Sequence, residues 1–380
     1  MSRLALHSTR LAPRALALIV SLAPRALALF MGLVLAAPAF AEPVVLVGGT
    51  VHTVSGMTIE NGTVIIDHGR ITAVGAALAA PAGARVVSLA GKQVYPGLVA
   101  AQTILGLTEI SSVKGTNDFA ETGDTNPNVR AEVGINPSSD IIPVTRANGI
   151  TSALVVPVGG AISGTSALIH LSGWTWENMT LKAPLALHLN WPNMTPVHGF
   201  FVTLTDDEQK KARDVALAGI RRAFDDARAW WTAHDAEHAS GIPRHDSDAK
   251  WDAMGKALKG QIPVMIRAST LAQIHSALKF VDEQKLSRVI LVDGDDAWRV
   301  ADELKARHIA VIVTGMLGMP PRRSDEYDMN FALPSKLAAA GVQFCIADDG
   351  RNFGNPDPSN ARNLPYSAAM AAAFGLSRED

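Results

Sequence analysis

The polar residues best suited to chemistry in this sequence stand at the ends of apolar runs. Arg267 ends the run in VMIRAS, and Asp293 ends the run in VILVDG. A further pair, Asp348 and Asp349, follows the run in IADDG. An arginine binds a carboxylate through two parallel hydrogen bonds, and an aspartate can serve as a general base. If these run ends converge, the sequence predicts a polar pocket in which Arg267 binds a substrate carboxylate and an aspartate accepts a proton.

The stretch LALHLNWP supplies a second set of candidates. His188 and Asn190 alternate with leucines, and alternate residues of a strand share one face. If that face is the inside of the fold, His188 is the acid or base candidate and Asn190 is a candidate for substrate binding. A core histidine satisfied by a hydrogen bond is the alternative for His188. A structural ion pair is the alternative for Arg267 and Asp293.

The composition of the chain excludes several classes of function. Of its 380 residues 48% are hydrophobic and 18% are charged, and the formal net charge is -2. This length can bury one large core, or one large domain with a small satellite. The near-neutral charge offers no basic surface for nucleic acid, and a single cysteine cannot form a disulfide within the chain. We therefore expect a small-molecule substrate or ligand and no nucleic-acid partner.

Residues 1–41 have the pattern of an export signal. Arginines precede apolar runs, the octet LAPRALAL occurs twice, and the last run ends in AFA at residues 39–41, a small-x-small cleavage pattern. Pro24 and Arg25 interrupt the apolar stretch, which disfavours an uncleaved membrane span. The sequence predicts a signal peptide cleaved before Glu42, no stable membrane span afterwards, and export, in a bacterium to the periplasm. A retained N-terminal anchor is the alternative.

The rest of the chain divides into two parts with different patterns. Residues 42–95 hold short runs rich in valine, isoleucine and threonine between glycine turns, which predict a small β domain. Over residues 96–380, apolar runs typical of buried parallel strands alternate with amphipathic helices, which predicts a (β/α)8 barrel. Sites in such barrels lie at the C-terminal ends of the strands. The eight candidate strands are YPGLVAAQT, ITSALVVPV, SALIHL, LALHLN, PVMIRA, RVILVD, IAVIVT and VQFCIA.

The third of these runs fits the parallel pattern poorly. Only residues 159–165 separate ITSALVVPV from SALIHL, fewer than the about twelve residues that a helical crossover needs. One of the runs in this region is therefore predicted to belong to a hairpin insertion. Farther on, apolar residues at helical spacing predict a long helix over 205–234, introduced by the capping pair Thr205 and Glu208, and a shorter helix over 247–259.

Three stretches carry a resemblance to a known family. They are the N-terminal segment from VVLVGGTVHTV to QVYPG, the run ANGITSALVV, and AAGVQFCIADDG. Together they resemble the amidohydrolase superfamily, nearest to its imidazolonepropionase-like members. The resemblance implies a β-sandwich domain over 42–95, a TIM-like (β/α)8 barrel over 96–380, and hydrolysis of a non-peptide C–N bond, as in a cyclic amide. Because that family returns to its small domain after the barrel, the resemblance also implies that closing elements are missing and that the chain is C-terminally truncated.

The resemblance implies a zinc site, which this sequence matches badly. In the family, two histidines on the first strand and one each on the fifth and sixth strands bind one or two zinc ions together with an aspartate on the eighth. By position these fall on Gln102, Ile104, Arg267, Asp293 and Asp349, with Asp348 as the alternative register for the aspartate. Glutamine, isoleucine and arginine do not form a zinc site, so only the aspartate is matched. We expect a degenerate metal site with no confident cofactor, zinc being the family expectation.

The candidate residues and the candidate functions follow from these observations. The candidates are Asp349, Asp293 and His188 for catalysis and Arg267, Gln102, Asn190 and Asp348 for substrate binding. The resemblance implies an amidohydrolase-like hydrolase with a degenerate metal site. The alternative is a catalytically inactive barrel that acts as an exported small-molecule-binding or envelope protein.

Overall fold

The computed structural model describes residues 42–199, 202–237, 246–320, 322–348 and 357–378. The predicted signal peptide and Asp349 lie outside these ranges. The chain divides into two compact units, one ending at Pro96 and the other beginning at Gly97. A search of the described ranges for a helix long and apolar enough to cross a membrane finds none.

The N-terminal unit contains one five-stranded sheet. Its strands are β1 Val44–Val51, β2 Ile59–Asp67, β3 Arg70–Ala76, β4 Arg85–Ser88 and β5 Gln93–Val94. β1 pairs antiparallel with β2 and parallel with β4 and β5, and β2 continues into the β2–β3 hairpin. The hairpin turns at His68 and Gly69, both with positive φ, as such a turn requires. The assignment of this sheet to a β-sandwich domain stays a prediction.

The larger unit contains ten strands among its described residues. They are β6 Leu98–Thr103, β7 Ile150–Val155, β8 Ile162–Thr165, β9 Ala167–His170, β10 Thr180–Lys182, β11 Leu187–Asn190, β12 Val264–Ala268, β13 Val289–Asp293, β14 Ala310–Val313 and β15 Phe344–Ile346. β6 and β7 are parallel, and β11 to β15 follow one another in parallel order. Helices separate consecutive members of the second group, as in a βα barrel.

The chain reverses at the third strand position. β9 pairs antiparallel with β7, and β8, which precedes β9 by one residue, pairs antiparallel with β11. This segment therefore fills the gap between β7 and β11 while running against both, which confirms the hairpin insertion expected from its short connection. β6 and β15 end their sheets, and within the described ranges no ladder joins them. The fold is a mixed α/β, TIM-like arrangement.

Eight α-helices are described. They are α1 Ile141–Ala147, α2 Trp176–Met179, α3 Asp206–Glu237, α4 Ala249–Leu258, α5 Leu271–Glu283, α6 Ala301–Ala306, α7 Met329–Ala340 and α8 Leu364–Ala373, with 3₁₀ turns at Lys114–Thr116, Ala131–Gly134, Ala297–Val300 and Pro358–Asn363. The predicted capping pair precedes α3, where Thr205 N donates to Glu208 Oε2 at 2.8 Å and Glu208 N donates to Thr205 Oγ1 at 3.3 Å. A second capping box, which the sequence analysis missed, pairs Thr270 with Gln273 at the start of α5.

The two faces of the barrel strands belong to different apolar clusters. Met265 and Val292 pack together inside the strands, whereas Ile266 joins the outer cluster that contains Phe224 of α3. Because side chains alternate along a strand, Arg267 continues the inner face at the end of β12. The inner face is apolar at Met265 and Val292 and becomes polar at Arg267, at the end of β12.

Candidate functional site

Arg267 and Asp293 form the centre of the candidate site. Arg267 Nη1 donates to Asp293 Oδ1 at 2.5 Å across the ends of the neighbouring strands β12 and β13. Thr314, just beyond β14, donates its hydroxyl to the same Oδ1 at 2.6 Å. The charged side chains of the pair are only 14% and 11% exposed. Arg267 and Asp293 thus do converge, and they form the buried ion pair that the sequence analysis gave as the structural alternative.

The backbone at Asp293 helps to build this contact. Its φ is +75°, a left-handed conformation that residues other than glycine rarely adopt. Strict alternation would place Asp293 on the outer side with Leu291, whereas the left-handed residue ends the strand and lets the carboxylate meet Arg267. Such conformations persist where surrounding contacts over-determine them, and they concentrate at functional sites. The ion pair and the hydroxyl of Thr314 supply those contacts here.

His188 lies on the inner face of β11, as the alternation in LALHLNWP predicts. Its side chain is buried, and Nε2 has no hydrogen-bond partner among the described residues. Burial and, to a lesser extent, the positive charge of Arg267 lower the pKa of His188 to about 3. The ring is therefore neutral at physiological pH and is a weak base. His188 is buried, like the core histidine that the sequence analysis gave as the alternative, but its Nε2 lacks the hydrogen bond that would satisfy it.

Asn190 shares the inner face of β11 with His188 and holds the loop before β8. Its Nδ2 donates to the carbonyl oxygen of Gly160 at 2.8 Å and to Ser163 Oγ at 2.9 Å. These two bonds fix residues 160–163 against β11. The contacts give Asn190 a structural task, and its role in substrate binding stays a prediction.

Gln102 reaches the interior through an irregularity in β6. The pairing of β6 with β7 passes from Ala100–Ala153 to Thr103–Val155, so three steps on β6 face two on β7. A bulge of this kind re-aims the side chains within it. The side chain of Gln102 is 3% exposed, and its Oε1 has no hydrogen-bond partner among the described residues.

Gln102, His188 and Arg267 line one small cavity together with apolar side chains such as Met265 and Val292. The cavity leaves about 10 Å³ for the centre of a water molecule. That is room for about one water-sized group. The cavity thus brings together candidates from β6, β11 and β12, three of the strand ends where the sequence analysis expected a site.

The remaining predicted positions are less closely tied to this cluster. Asp348 lies two residues beyond β15 and is half-buried, at the same end of the sheet as Arg267. Asp349 lies outside the described residues, so its role stays a prediction. Ile104, where the resemblance implies the second histidine, is 2% exposed and packs in an apolar cluster.

A buried charge network near the site was missed by the sequence analysis. Asp296 is fully buried, and Arg322 donates to both of its carboxylate oxygens, at 2.8 and 2.5 Å. Burial raises the pKa of Asp296, but hydrogen bonds from Arg322, the backbone N–H of Leu271 and Arg299 outweigh burial and leave the pKa below its ordinary value. The network ties the segment after β14 to the start of α5. The run DGDD, which begins at the end of β13 and ends three residues before Arg299, was the sequence feature that could have indicated this network.

The described residues do not fit the zinc site that the resemblance implies. Zinc needs three or four nitrogen, sulfur or carboxylate donors around one point. Throughout the described ranges, no three His, Cys, Asp or Glu side chains come together in this way. The implied positions hold the amide of Gln102 and the guanidinium of Arg267, and this cation contacts the carboxylate of Asp293. A second cation would be repelled there.

Comparisons with known proteins give a relative in sequence and a likeness in structure. No family model matches the chain. The chain is similar in sequence to the amidohydrolase tasK of Hapsidospora irregularis, at 27% identity over 248 residues, which are 58% of this chain and 25% of that protein. The chain therefore matches about a quarter of the length of this curated relative.

Among solved structures, the chain resembles an amidohydrolase from Thermotoga maritima MSB8. The TM-score is 0.75 at 21% identity, and the match covers 88% of this chain and 85% of the other. At this identity the likeness establishes the fold. A prolidase structure is less similar, with a TM-score of 0.46 and 16% identity over 88% of each chain, and supports no conclusion.

Proposed function

We propose that this chain is a member of the amidohydrolase superfamily and that it hydrolyses an amide-type C–N bond of a small molecule at the C-terminal ends of its barrel strands. The observation that carries the proposal is the polar cluster around Arg267, which lies at the end of the strands where barrels of this type build their sites. A cyclic amide is one substrate class within this proposal.

Arg267 has the charge that amide hydrolysis requires. Attack on an amide carbonyl builds negative charge on its oxygen, and a fixed positive group nearby stabilises that charge. Asp293 positions Arg267, because Arg267 Nη1 and the hydroxyl of Thr314 both donate to the same oxygen, Asp293 Oδ1. In this proposal Asp293 is a positioning residue, since two hydrogen bonds already engage Oδ1.

The general base is assigned by elimination. His188 has a pKa of about 3, which makes it a weak base near neutrality. Asp349, which the resemblance aligns with the family aspartate, is then the candidate that accepts a proton from water. The roles proposed for Arg267 and Asp293 do not depend on a metal ion, because the residues at the family's metal positions do not suit zinc.

A second candidate function rests on the same chemistry. Neither Asp293 nor His188 is arranged as a base at neutral pH, which favours binding without turnover. In this alternative the protein is an exported small-molecule-binding or envelope protein, delivered by the signal peptide predicted over residues 1–41. The two functions differ in whether the bound molecule is cleaved.

A substrate panel distinguishes the two functions. The purified mature protein is incubated with primary carboxamides, N-acyl amino acids and cyclic amides, and the ammonia or the new amino group that hydrolysis forms is measured. We expect turnover of at least one class. Removing one stabilising group of an oxyanion typically lowers kcat by about 10²–10³-fold, so we expect a loss of this size for Arg267→Ala and a smaller loss for Arg267→Lys, which keeps the charge.

The control for this experiment is Arg222→Ala, which removes an exposed arginine of α3 and should leave turnover unchanged. Saturable binding of a panel member without hydrolysis of any member would overturn the proposed hydrolase function and support the proposed binding function. Metal analysis of the same preparation adds a second check. Stoichiometric zinc whose removal abolishes turnover would contradict the proposed metal-independent roles.

A further inference from the structure

Two buried residues, each with a polar atom that lacks a partner among the described residues, line the same small cavity. The side chains of Gln102 and His188 are 3% and 6% exposed, and neither Gln102 Oε1 nor His188 Nε2 has a hydrogen-bond partner among the described residues. Buried polar atoms in native proteins almost always have a partner in the protein or in bound water. Two residues with unsatisfied atoms that line one cavity therefore indicate a ligand that supplies both hydrogen bonds.

The surroundings restrict the charge of this ligand. The side chain of Arg267 lines the same cavity, so a cation would be repelled. An anion would meet the carbonyl oxygen of Gln102 and, with the ring proton on Nδ1, the lone pair of His188 Nε2. Both of these groups accept hydrogen bonds. The ligand group that fits is neutral and donates two hydrogen bonds.

The size of the cavity restricts the ligand further. About 10 Å³ is open to the centre of a water molecule, which is room for one non-hydrogen atom with its protons. Water has this size and carries two donors. The NH₂ group of a primary carboxamide has the same size and the same two donors, and its carbonyl oxygen would benefit from the positive charge of Arg267.

We propose that the cavity between Gln102 and His188 is the subsite for the NH₂ group of a primary carboxamide substrate. This inference rests on the proposed amide hydrolysis and names its substrate class. The two N–H groups donate to Gln102 Oε1 and His188 Nε2, and a water molecule makes the same two bonds when no carboxamide is present. A ring nitrogen or an N-alkylated amide has too few donors and too much volume for this subsite.

The reaction that follows releases ammonia. Water adds to the carbonyl carbon, so a C–O bond forms, and the C–N bond then breaks. The proton lost by the attacking water goes to the leaving nitrogen, which departs as ammonia. The new carboxylic acid then gives its proton to ammonia, so the products are a carboxylate and ammonium. No oxidant, reductant or further reactant is needed.

Binding without turnover tests the subsite directly. Acetamide, N,N-dimethylacetamide and acetate are added to the protein labelled with ¹⁵N at histidine, and the Nε2 resonance of His188 is followed. We expect acetamide to shift this resonance and the other two probes to leave it unchanged. An equal shift with N,N-dimethylacetamide, or no shift with acetamide, overturns the subsite.

Two variants separate the subsite from the general fold. Gln102→Leu removes one acceptor at similar volume, and we expect about tenfold weaker binding of acetamide, as for one lost hydrogen bond. Thr145→Val removes a buried hydroxyl of α1 that has no partner among the described residues and does not line the cavity, and we expect unchanged binding. Equal binding by both variants overturns the subsite. If Gln102→Leu fails to fold, the comparison of acetamide, N,N-dimethylacetamide and acetate on the unaltered protein still tests the subsite.

Turnover then distinguishes this inference from the function on which it rests. Ammonia release from primary carboxamides, with no release from their N-methyl analogues, supports both. Equal turnover of the N-methyl analogues overturns the subsite and leaves the hydrolase standing. Selective binding of acetamide without ammonia release from any carboxamide retains the subsite and overturns the hydrolase.

Discussion

The two sides of the polar cluster differ in how their buried groups are satisfied. On the side of β12 to β14, Arg267, Asp293 and Thr314 bond to one another at 2.5 and 2.6 Å. On the side of β6 and β11, Gln102 and His188 are also buried, but each has an atom without a partner among the described residues. The hydrogen bonds of the first side stabilise the fold, whereas the unpartnered atoms of the second side gain hydrogen bonds only from a ligand or a water molecule.

The largest expected effect on stability comes from breaking the ion pair between Arg267 and Asp293 on the satisfied side. Arg267→Ala leaves the buried carboxylate of Asp293 without its cation, and breaking a buried pair in this way costs about 3–5 kcal/mol. We expect the free energy of unfolding, measured by urea denaturation, to fall by this amount. The exposed Arg222→Ala of α3 should change it by less than about 0.5 kcal/mol. A loss for Arg267→Ala no larger than that of Arg222→Ala would remove the contrast between the two sides.

A somewhat smaller effect is expected from titrating the unsatisfied side. The pKa of His188 is about 3 in the folded protein and 6.5 in the ordinary case. As the pH falls below 6.5, the unfolded chain therefore takes up a proton that the folded protein does not. The stability contributed by this group is fully present above pH 6.5 and declines by roughly 1.4 kcal/mol per pH unit until about pH 3.

This pH dependence is measured by urea denaturation of the unaltered protein and of His188→Leu between neutral pH and about pH 5. We expect the two curves of unfolding free energy against pH to diverge, with the variant losing less stability on acidification. Parallel curves would show that His188 is not held neutral by its surroundings.

The smallest effect on stability is expected at Gln102. Replacing a buried group that lacks a partner by an apolar group of similar shape is nearly neutral or stabilising. Gln102→Leu should therefore change the free energy of unfolding by less than about 1 kcal/mol in the same urea experiment. A loss as large as that of Arg267→Ala would mean that Gln102 is bonded within the fold, and the two sides of the cluster would no longer differ.

The satisfied side could be predicted from the sequence, and the reason is local. Arg267 and Asp293 end successive apolar runs, and parallel strands bring such ends together at one edge. The reversal at β8 and β9 could also be predicted from the sequence, because the seven residues 159–165 cannot form a helical crossover. Both predictions needed only the spacing of apolar runs and the direction of strands.

The other parts of the cluster depend on information that spacing does not carry. Gln102 faces inward because of a bulge in β6, and one extra residue in a strand leaves no clear pattern in its sequence. Asp296 is satisfied by Arg322, which lies 26 residues farther along the chain. Pairing at that distance is decided by how the segment after β14 folds back, which periodicity cannot predict.

The reversed segment at β8 and β9 has a consequence for the engineering of this barrel. Each parallel strand that ends at the site is followed by a loop that lies at the site. New specificities are usually built in such loops. β8 begins at that end instead of finishing there, and Asn190 holds its leading residues in place. An insertion designed to reshape the substrate pocket would therefore find usable attachment points after β7, β12, β13 and β14, whereas the same insertion after β9 would emerge on the opposite face of the protein.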